Sequence, residues 1–222
     1  SRSEVKKMIK SGRVSVDGEI CREAERKIQP SASEVSLDGT LVGYAAYEYF
    51  MLNKPAGVIT ASRDERHGTV LELFPESLRR GLFAVGRLDK DTEGLLLVTD
   101  DGALSHALMS PSRHVSKVYE AELDGTLVPD AAERFGAGLT LRDGTVCRPA
   151  LLELLPDGRV RVTLHEGKYH QVKRMIAACG ATVTFLKRVQ LGGVRLGESL
   201  APGEFRELTE EELGALRPPD GL

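Results

Sequence analysis

The apolar positions change their period along the chain, and each change marks an element. Near the start, Val5, Met8 and Ile9 recur at helical spacing with Lys6, Lys7 and Lys10 off that face. A short helix is expected over residues 3–10, capped by Ser3 and stopped by Ser11-Gly12. Arg13-Val14-Ser15-Val16 then alternates, Asp17-Gly18 turns, and Glu19-Ile20-Cys21 returns, which predicts a hairpin. A second Asp-Gly turn at Asp38-Gly39 lies between Val35 and Leu41-Val42, with residues 29–33 loop-like. These elements predict a small first domain, residues 1–43, and a boundary between Gly43 and Tyr47.

From Tyr47 the apolar runs lengthen. A strand over 48–52 ends at Asn53-Lys54-Pro55-Ala56-Gly57, and residues 58–60 extend it after the kink. A short helix is expected over 70–74 and a strand over 82–85. Leu95 to Val98 is a continuous apolar run too short for a helix, so it predicts a buried strand. Further helices are predicted over 103–109, 129–135 and 172–179, the last with Val172, Met175, Ile176 and Cys179 on one face and Gly180 as its stop. Strands are predicted over 115–123, 150–155, 159–164 and 182–186, with a hairpin turn at Asp143-Gly144. The acidic tail from Glu198 suits a short strand and a last turn of helix. Hairpins with scattered helices predict an α+β fold for residues 44–222: a mixed, mainly antiparallel central sheet with flanking helices, preceded by a small α/β module.

Composition narrows the class. A chain of 222 residues suits one medium domain with a small companion. Hydrophobic content of 41% and charged content of 28% are those of a soluble globular protein, and no apolar run reaches membrane length. Three widely spaced cysteines do not form a disulfide framework, and no Cys-x-x-Cys offers a zinc site. No leader with a cleavage site is seen, so a cytoplasmic location is expected. The first residue is not Met, and the natural start is expected upstream. A net charge of −3 alone does not favour a nucleic-acid partner, but the charge is unevenly placed. Arg2, Lys6, Lys7, Lys10 and Arg13 face only Glu4. A lone basic run is more often a solvated face. This one continues around a tight turn into a hairpin, which favours phosphate contact.

The densest polar chemistry lies between the strands at 82–85 and 95–98: Gly86-Arg87-Leu88-Asp89-Lys90-Asp91-Thr92-Glu93-Gly94. A carboxylate there is held between two rigid strands, as a working group must be. A calcium loop is one reading, but its seventh to tenth positions would fall on the buried run 95–98 and no helix flanks it. An aspartyl-phosphate site is another, but Glu93 stands where a small residue is usual. The third is a single Asp that acts without metal, opposite a cation elsewhere in the chain. The bland alternative is that these acids only shape the loop. His106, His114 and His165 share no metal-ligand spacing.

Four segments together resemble one family. Gly86-Arg87-Leu88-Asp89 with Asp91-Thr92-x-Gly94-Leu95-Leu96 is similar to the signature of the pseudouridine synthases. Lys117-x-Tyr119 is similar to their second motif. Glu166 to Met175 is similar to their third, in the form of the RsuA-like branch that modifies small-subunit ribosomal RNA. Asn53 to Gly57 is similar to their opening motif, and residues 1–42 resemble the alpha-L RNA-binding module. The resemblance implies Asp89 as catalytic carboxylate, Lys173 as its ion-pair partner and Tyr119 as the ring that stacks on the target uracil. It implies Leu186 as an apolar contact under the base, with Arg87, Thr92, His170, Gln171 and Arg174 lining the RNA path. Phosphate contacts fall to the N-terminal patch and to Lys168, Lys187 and Arg188. Alone, Tyr119 would more often be core and His170 a structural hydrogen-bonder. The expected activity is conversion of one uridine to pseudouridine in ribosomal RNA, free or partly assembled, by a monomer with no cofactor, metal or membrane contact. The chemistry agrees: isomerisation needs no redox partner, a nearby cation keeps an Asp ionised, and the base must leave its stack. A large-subunit enzyme and a non-catalytic RNA-binding or ribosome-assembly protein are the alternative readings.

Overall fold

A computed structural model describes residues 2–29, 32–43 and 47–216. The chain divides into two compact units, Ser1–Ala46 and Tyr47–Leu222, and each is described by itself. The boundary expected after Gly43 falls beside residues 44–46, which lie outside the described residues, as do Pro30 and Ser31 of the expected first loop.

In the first unit, α1 (Arg2–Lys10) begins ahead of Ser3, so Ser3 lies within the helix and does not cap it. Strands β1 (Val14–Val16), β2 (Glu19–Ile20), β3 (Val35–Leu37) and β4 (Thr40–Leu41) form an antiparallel sheet in the order β2-β1-β3-β4. Both Asp-Gly turns have both central residues at positive φ: 54° and 82° at Asp17-Gly18, 51° and 80° at Asp38-Gly39. That is the two-residue hairpin turn whose twist matches its strands, and it is why Asp-Gly stands at each.

The second unit contains β5 (Tyr49–Lys54), β6 (Phe83–Ala84), β7 (Glu93–Thr99), α2 (Gly102–Met109), β8 (Lys117–Asp124), α3 (Ala131–Ala137) and the small hairpin β9 (Leu139–Thr140) and β10 (Val146–Cys147). It continues with β11 (Leu151–Leu154), β12 (Val160–Leu164), α4 (Gln171–Ala178), β13 (Thr182–Leu191), β14 (Val194–Arg195), β15 (Phe205–Glu207) and α5 (Glu210–Leu216). Among the described residues, nine strands form one sheet in the order β11-β12-β8-β13-β7-β5-β15, with β14 on β13 and β6 on β7. Every strand pair in it is antiparallel except β13 with β7.

Both faces of this sheet are covered, which explains the apolar run in β7. Leu96 and Val98 face a core shared with α3 (Phe135) and α4 (Val172, Met175, Ile176). Leu95 and Leu97 face the opposite core, with Leu104 and Leu108 of α2 and Leu213 and Leu216 of α5. Three expectations change. Residues 70–73 form a single 3-10 turn. Residues 58–60 are no strand but hold one bridge, Ile59 to Thr69. The strand expected to stop at 186 continues to Leu191, because an irregularity between Arg188 and Gln190 lets it bend and keep pairing with β8.

Candidate active site

One row across the sheet organises the site. Lys54 of β5 pairs with Gly94 of β7, Gly94 with Arg188 of β13, and Arg188 with Tyr119 of β8. Paired residues share a face, here the face on which α4 packs. Strands lie about 4.8 Å apart, so Tyr119 sits about 10 Å across the sheet from the end of the loop that carries Asp89. Gly94 is needed in this row. Its φ is 101°, and a Cβ there would collide with the Arg188 carbonyl oxygen and lie 2.8 Å from the Arg188 nitrogen.

The Asp89 loop is anchored by main chain. Leu88 exchanges two bonds with Thr60: its carbonyl accepts from Oγ1 at 2.8 Å, and its N–H donates to Oγ1 at 3.1 Å. The Lys90 carbonyl accepts from the Gly57 N–H at 2.8 Å. Beneath the loop the wholly buried Lys54 donates from Nζ to the carbonyls of Thr92 (2.9 Å), Pro55 (3.0 Å) and Lys90 (3.3 Å). Burial pushes the Lys54 ammonium down from 10.5 to about 8, while Asp91, Glu93 and Asp89 pull it back up. The motif Asn53 to Gly57 is thus the cradle of the loop. A Lys at the end of the apolar run Tyr49–Lys54 was the signal for this role.

The opposite side is the turn before α4. His170 is 3.5 Å through Nε2 from Asp89 Oδ1, and Lys173 Nζ is 3.8 Å from Asp89 Oδ2. Lys173 is closer to Asp91, at 2.5 Å from Oδ1. It is therefore shared between two carboxylates, whereas the family resemblance implies a pairing with Asp89 alone. The Lys173 ammonium holds the Asp91 carboxyl below the usual carboxylate range. The Asp89 side chain keeps 29% of its surface open, so the carboxylate is accessible while flanked by the Lys173 ammonium and the His170 ring.

The remaining expected residues separate into two groups. Arg87 is exposed; Lys187 is half-buried in β13. Arg174 is held by Asp143 at 2.5 Å and by the Tyr169 carbonyl at 3.2 Å. Lys168 donates to the Val146 carbonyl. In the first unit Arg2, Lys7 and Lys10 are exposed, Lys6 pairs with Glu25 at 2.7 Å, and Arg13 pairs with Asp38. Tyr119 lies in the row and Leu186 two residues before Arg188 on β13; both are buried, at 9% and 4% exposure.

Three residues do not line a surface. Thr92 is buried, with its hydroxyl unpaired among the described residues. Gln171 is buried and braces its own turn, donating to Glu166 at 2.7 Å and accepting from the Lys168 N–H at 2.9 Å. Arg188, expected on phosphate, is 1% exposed because β13 carries it into the sheet. Its Nε donates to the Leu95 carbonyl at 2.8 Å, filling the place where the two-residue ladder between β7 and β13 ends. Among the described residues no cluster of three or more His, Cys, Asp or Glu could hold a metal, and no helix is long and apolar enough to cross a membrane.

Comparisons with known proteins give the same direction throughout. A family described as RNA pseudouridylate synthase matches residues 48–178, and the S4 domain matches residues 1–33. The chain is 44% identical over 218 residues to ribosomal small subunit pseudouridine synthase A of Escherichia coli (strain K12), spanning 97% of this chain and 94% of that one. It is 43% identical, across an alignment of 224 residues, to an uncharacterised RNA pseudouridine synthase of Bacillus subtilis (strain 168), spanning 99% and 94%. A crystal structure of a pseudouridylate synthase superposes with a TM-score of 0.74 at 38% identity, over 98% of this chain and 94% of that one.

Proposed function

The chain belongs to the RNA pseudouridylate synthase family, and from that premise we propose that it isomerises one uridine of small-subunit ribosomal RNA to pseudouridine. The reaction breaks the bond from ribose C1′ to N1, turns the uracil, and joins C5 to the same C1′. The C5 proton leaves and N1 gains one, so atoms balance with no donor or oxidant. One observation carries the reading: an accessible Asp89 in a rigid loop, with the cationic Lys173 3.8 Å away and His170 3.5 Å away. In this reading Asp89 is the catalytic carboxylate, and Lys173 is the cation that faces it as the site dries around the base. Tyr119 replaces the stacking that the flipped uracil gives up, an interaction of about 1–3 kcal/mol per base. Leu186, beside it on the same face, supplies an apolar floor.

Arg87, Lys168, Arg174 and Lys187 would hold phosphates near the site, and the unit over residues 1–43, through Arg2, Lys7 and Lys10, would hold RNA beyond it. The protein would act as a cytoplasmic monomer on free or partly assembled ribosomal RNA. The test is Asp89→Asn on in vitro transcribed ribosomal RNA, with pseudouridine mapped at nucleotide resolution. The parent should modify one small-subunit position, and the variant should bind the RNA without modifying it. Turnover by the variant would sink the role of Asp89. Modification of large-subunit RNA instead would sink the choice of target.

A further inference from the structure

The turn before α4 carries a ring that the proposed reaction leaves unused. Tyr169 is 75% exposed, yet it is firmly held. It stacks on His170 with centroids 3.8 Å apart and planes at 19°. Its carbonyl accepts from Arg174. His170 lies at φ 48°, ψ 36°, the left-handed region that a side-chain-bearing residue keeps only when its surroundings hold it there. Gln171 braces the same turn through Glu166 and Lys168. A stack of two rings therefore runs from Asp89, through His170, out to an open tyrosine face.

A uridine that leaves its stack bares the faces of its neighbours. We propose that the Tyr169–His170 pair is a binding site for the nucleobase next to the flipped uridine, which lies on the outer face of Tyr169. The proposal rests on the reading of the chain as a uridine isomerase. A buried ring such as Tyr119 suits the base that enters the pocket, and an exposed ring suits one that stays outside it. Stacking of this kind accepts any base, since each has a π-face, so the site supplies grip more than sequence readout. Lys168 on the same turn and Arg174 in the first turn of α4 lie beside this ring, where exchange of their Glu166 and Asp143 partners for phosphate would add grip.

The test compares Tyr169→Leu, which keeps apolar bulk without a π-face, with Tyr169→Phe. The full chain is assayed on in vitro transcribed small-subunit ribosomal RNA. It is then assayed on a synthetic fragment around the mapped uridine, with an abasic nucleotide placed at each neighbour in turn. Tyr169→Leu should raise KM about tenfold or more with Tm unchanged, while Tyr169→Phe stays within about twofold of the parent. One abasic position should raise the parent's KM by a similar factor and add nothing to the Leu variant. An unaltered KM for Tyr169→Leu, or losses that multiply, would overturn the site. A parent that forms no pseudouridine in any ribosomal RNA would overturn the functional reading beneath it instead.

Discussion

The loop over residues 88–92 and the turn over 166–171 bring a carboxylate and an imidazole within 3.5 Å of each other by different means. The loop is held mainly through its own backbone: the buried Lys54 ammonium takes two of its carbonyls, Gly57 and the half-buried Thr60 bond its main chain, and the buried Gly94 ties it where it enters the sheet. The turn is held by side chains of its own segment, the buried Gln171 on Glu166 and Arg174 on the Tyr169 carbonyl, and it keeps His170 in a left-handed conformation. The first arm fixes the carboxylate and shares its anchors with the core. The second arm brings the His170 ring and leads into α4, which carries Lys173, and its ties can be removed singly. Under the proposed function, such a site holds Asp89 rigidly and presents RNA with a side whose ties can be altered one at a time.

The largest effect should come from Gly94→Ala. The new methyl would meet the Arg188 main chain, and the residue would carry a φ of 101°. The β7–β13 pair would have to part, so the variant should lose about 3–5 kcal/mol of stability in urea unfolding. A loss below about 1 kcal/mol would show that the first arm does not depend on the sheet.

Lys54→Met should act differently. It removes a costly buried charge but leaves the carbonyls of Thr92 and Lys90 short of a donor, so stability at pH 7 should change by about 1 kcal/mol or less. Turnover should still fall about 10–100-fold, because Asp89 loses its fixed position. Titration separates the two effects. The Lys54 ammonium is held down to about 8 against an ordinary 10.5, so between those values the unfolded chain binds the extra proton. In that window unfolding free energy should rise with pH by up to about 3 kcal/mol from this group, and it should be lost again as pH falls through about 8. The slope should be absent from Lys54→Met. An equal slope in both proteins would place its origin elsewhere.

These two arms were unequally legible in the sequence. The segment that holds Asp89 stood out because it is polar between two apolar strands, but Asp89 among its acids, and Lys173 opposite, were singled out by the resemblance of their motifs. The burial of Arg188 was hidden, since a strand that crosses a bulge looks like a strand that has ended in charge. Gln171 was hidden because its partners, Glu166 and the Lys168 N–H, are fixed by a turn that no periodicity encodes. Lys54 was visible as a motif but not as an anchor, because its three acceptors are carbonyls, which every sequence has. Sequence showed the residues that break a pattern; it did not show which pattern-breakers would be turned inward.

The smallest effect on stability is expected from His170→Gly, and it tests the comparison most directly. The backbone at 170 sits at φ 48°, where a histidine, which adopts this region more readily than most side chains, stores about 1–1.5 kcal/mol of strain and a glycine stores none. Glycine gives back about 0.5–1 kcal/mol through the greater freedom of the unfolded chain. The net should be a gain of up to about 1 kcal/mol, read as a rise in Tm. Turnover should fall about tenfold, because Asp89 loses the ring 3.5 Å away and Tyr169 loses the surface it stacks on. His170→Asn supplies the control, since asparagine tolerates the same backbone but carries no ring. It should keep the parent's Tm and share the loss of turnover. Gly94→Ala and His170→Gly are converse exchanges at two left-handed positions in the same unit. If both destabilise alike, the turn is part of the frame and not the adjustable side of the site. If only the first does, the strain at His170 is held for the reaction.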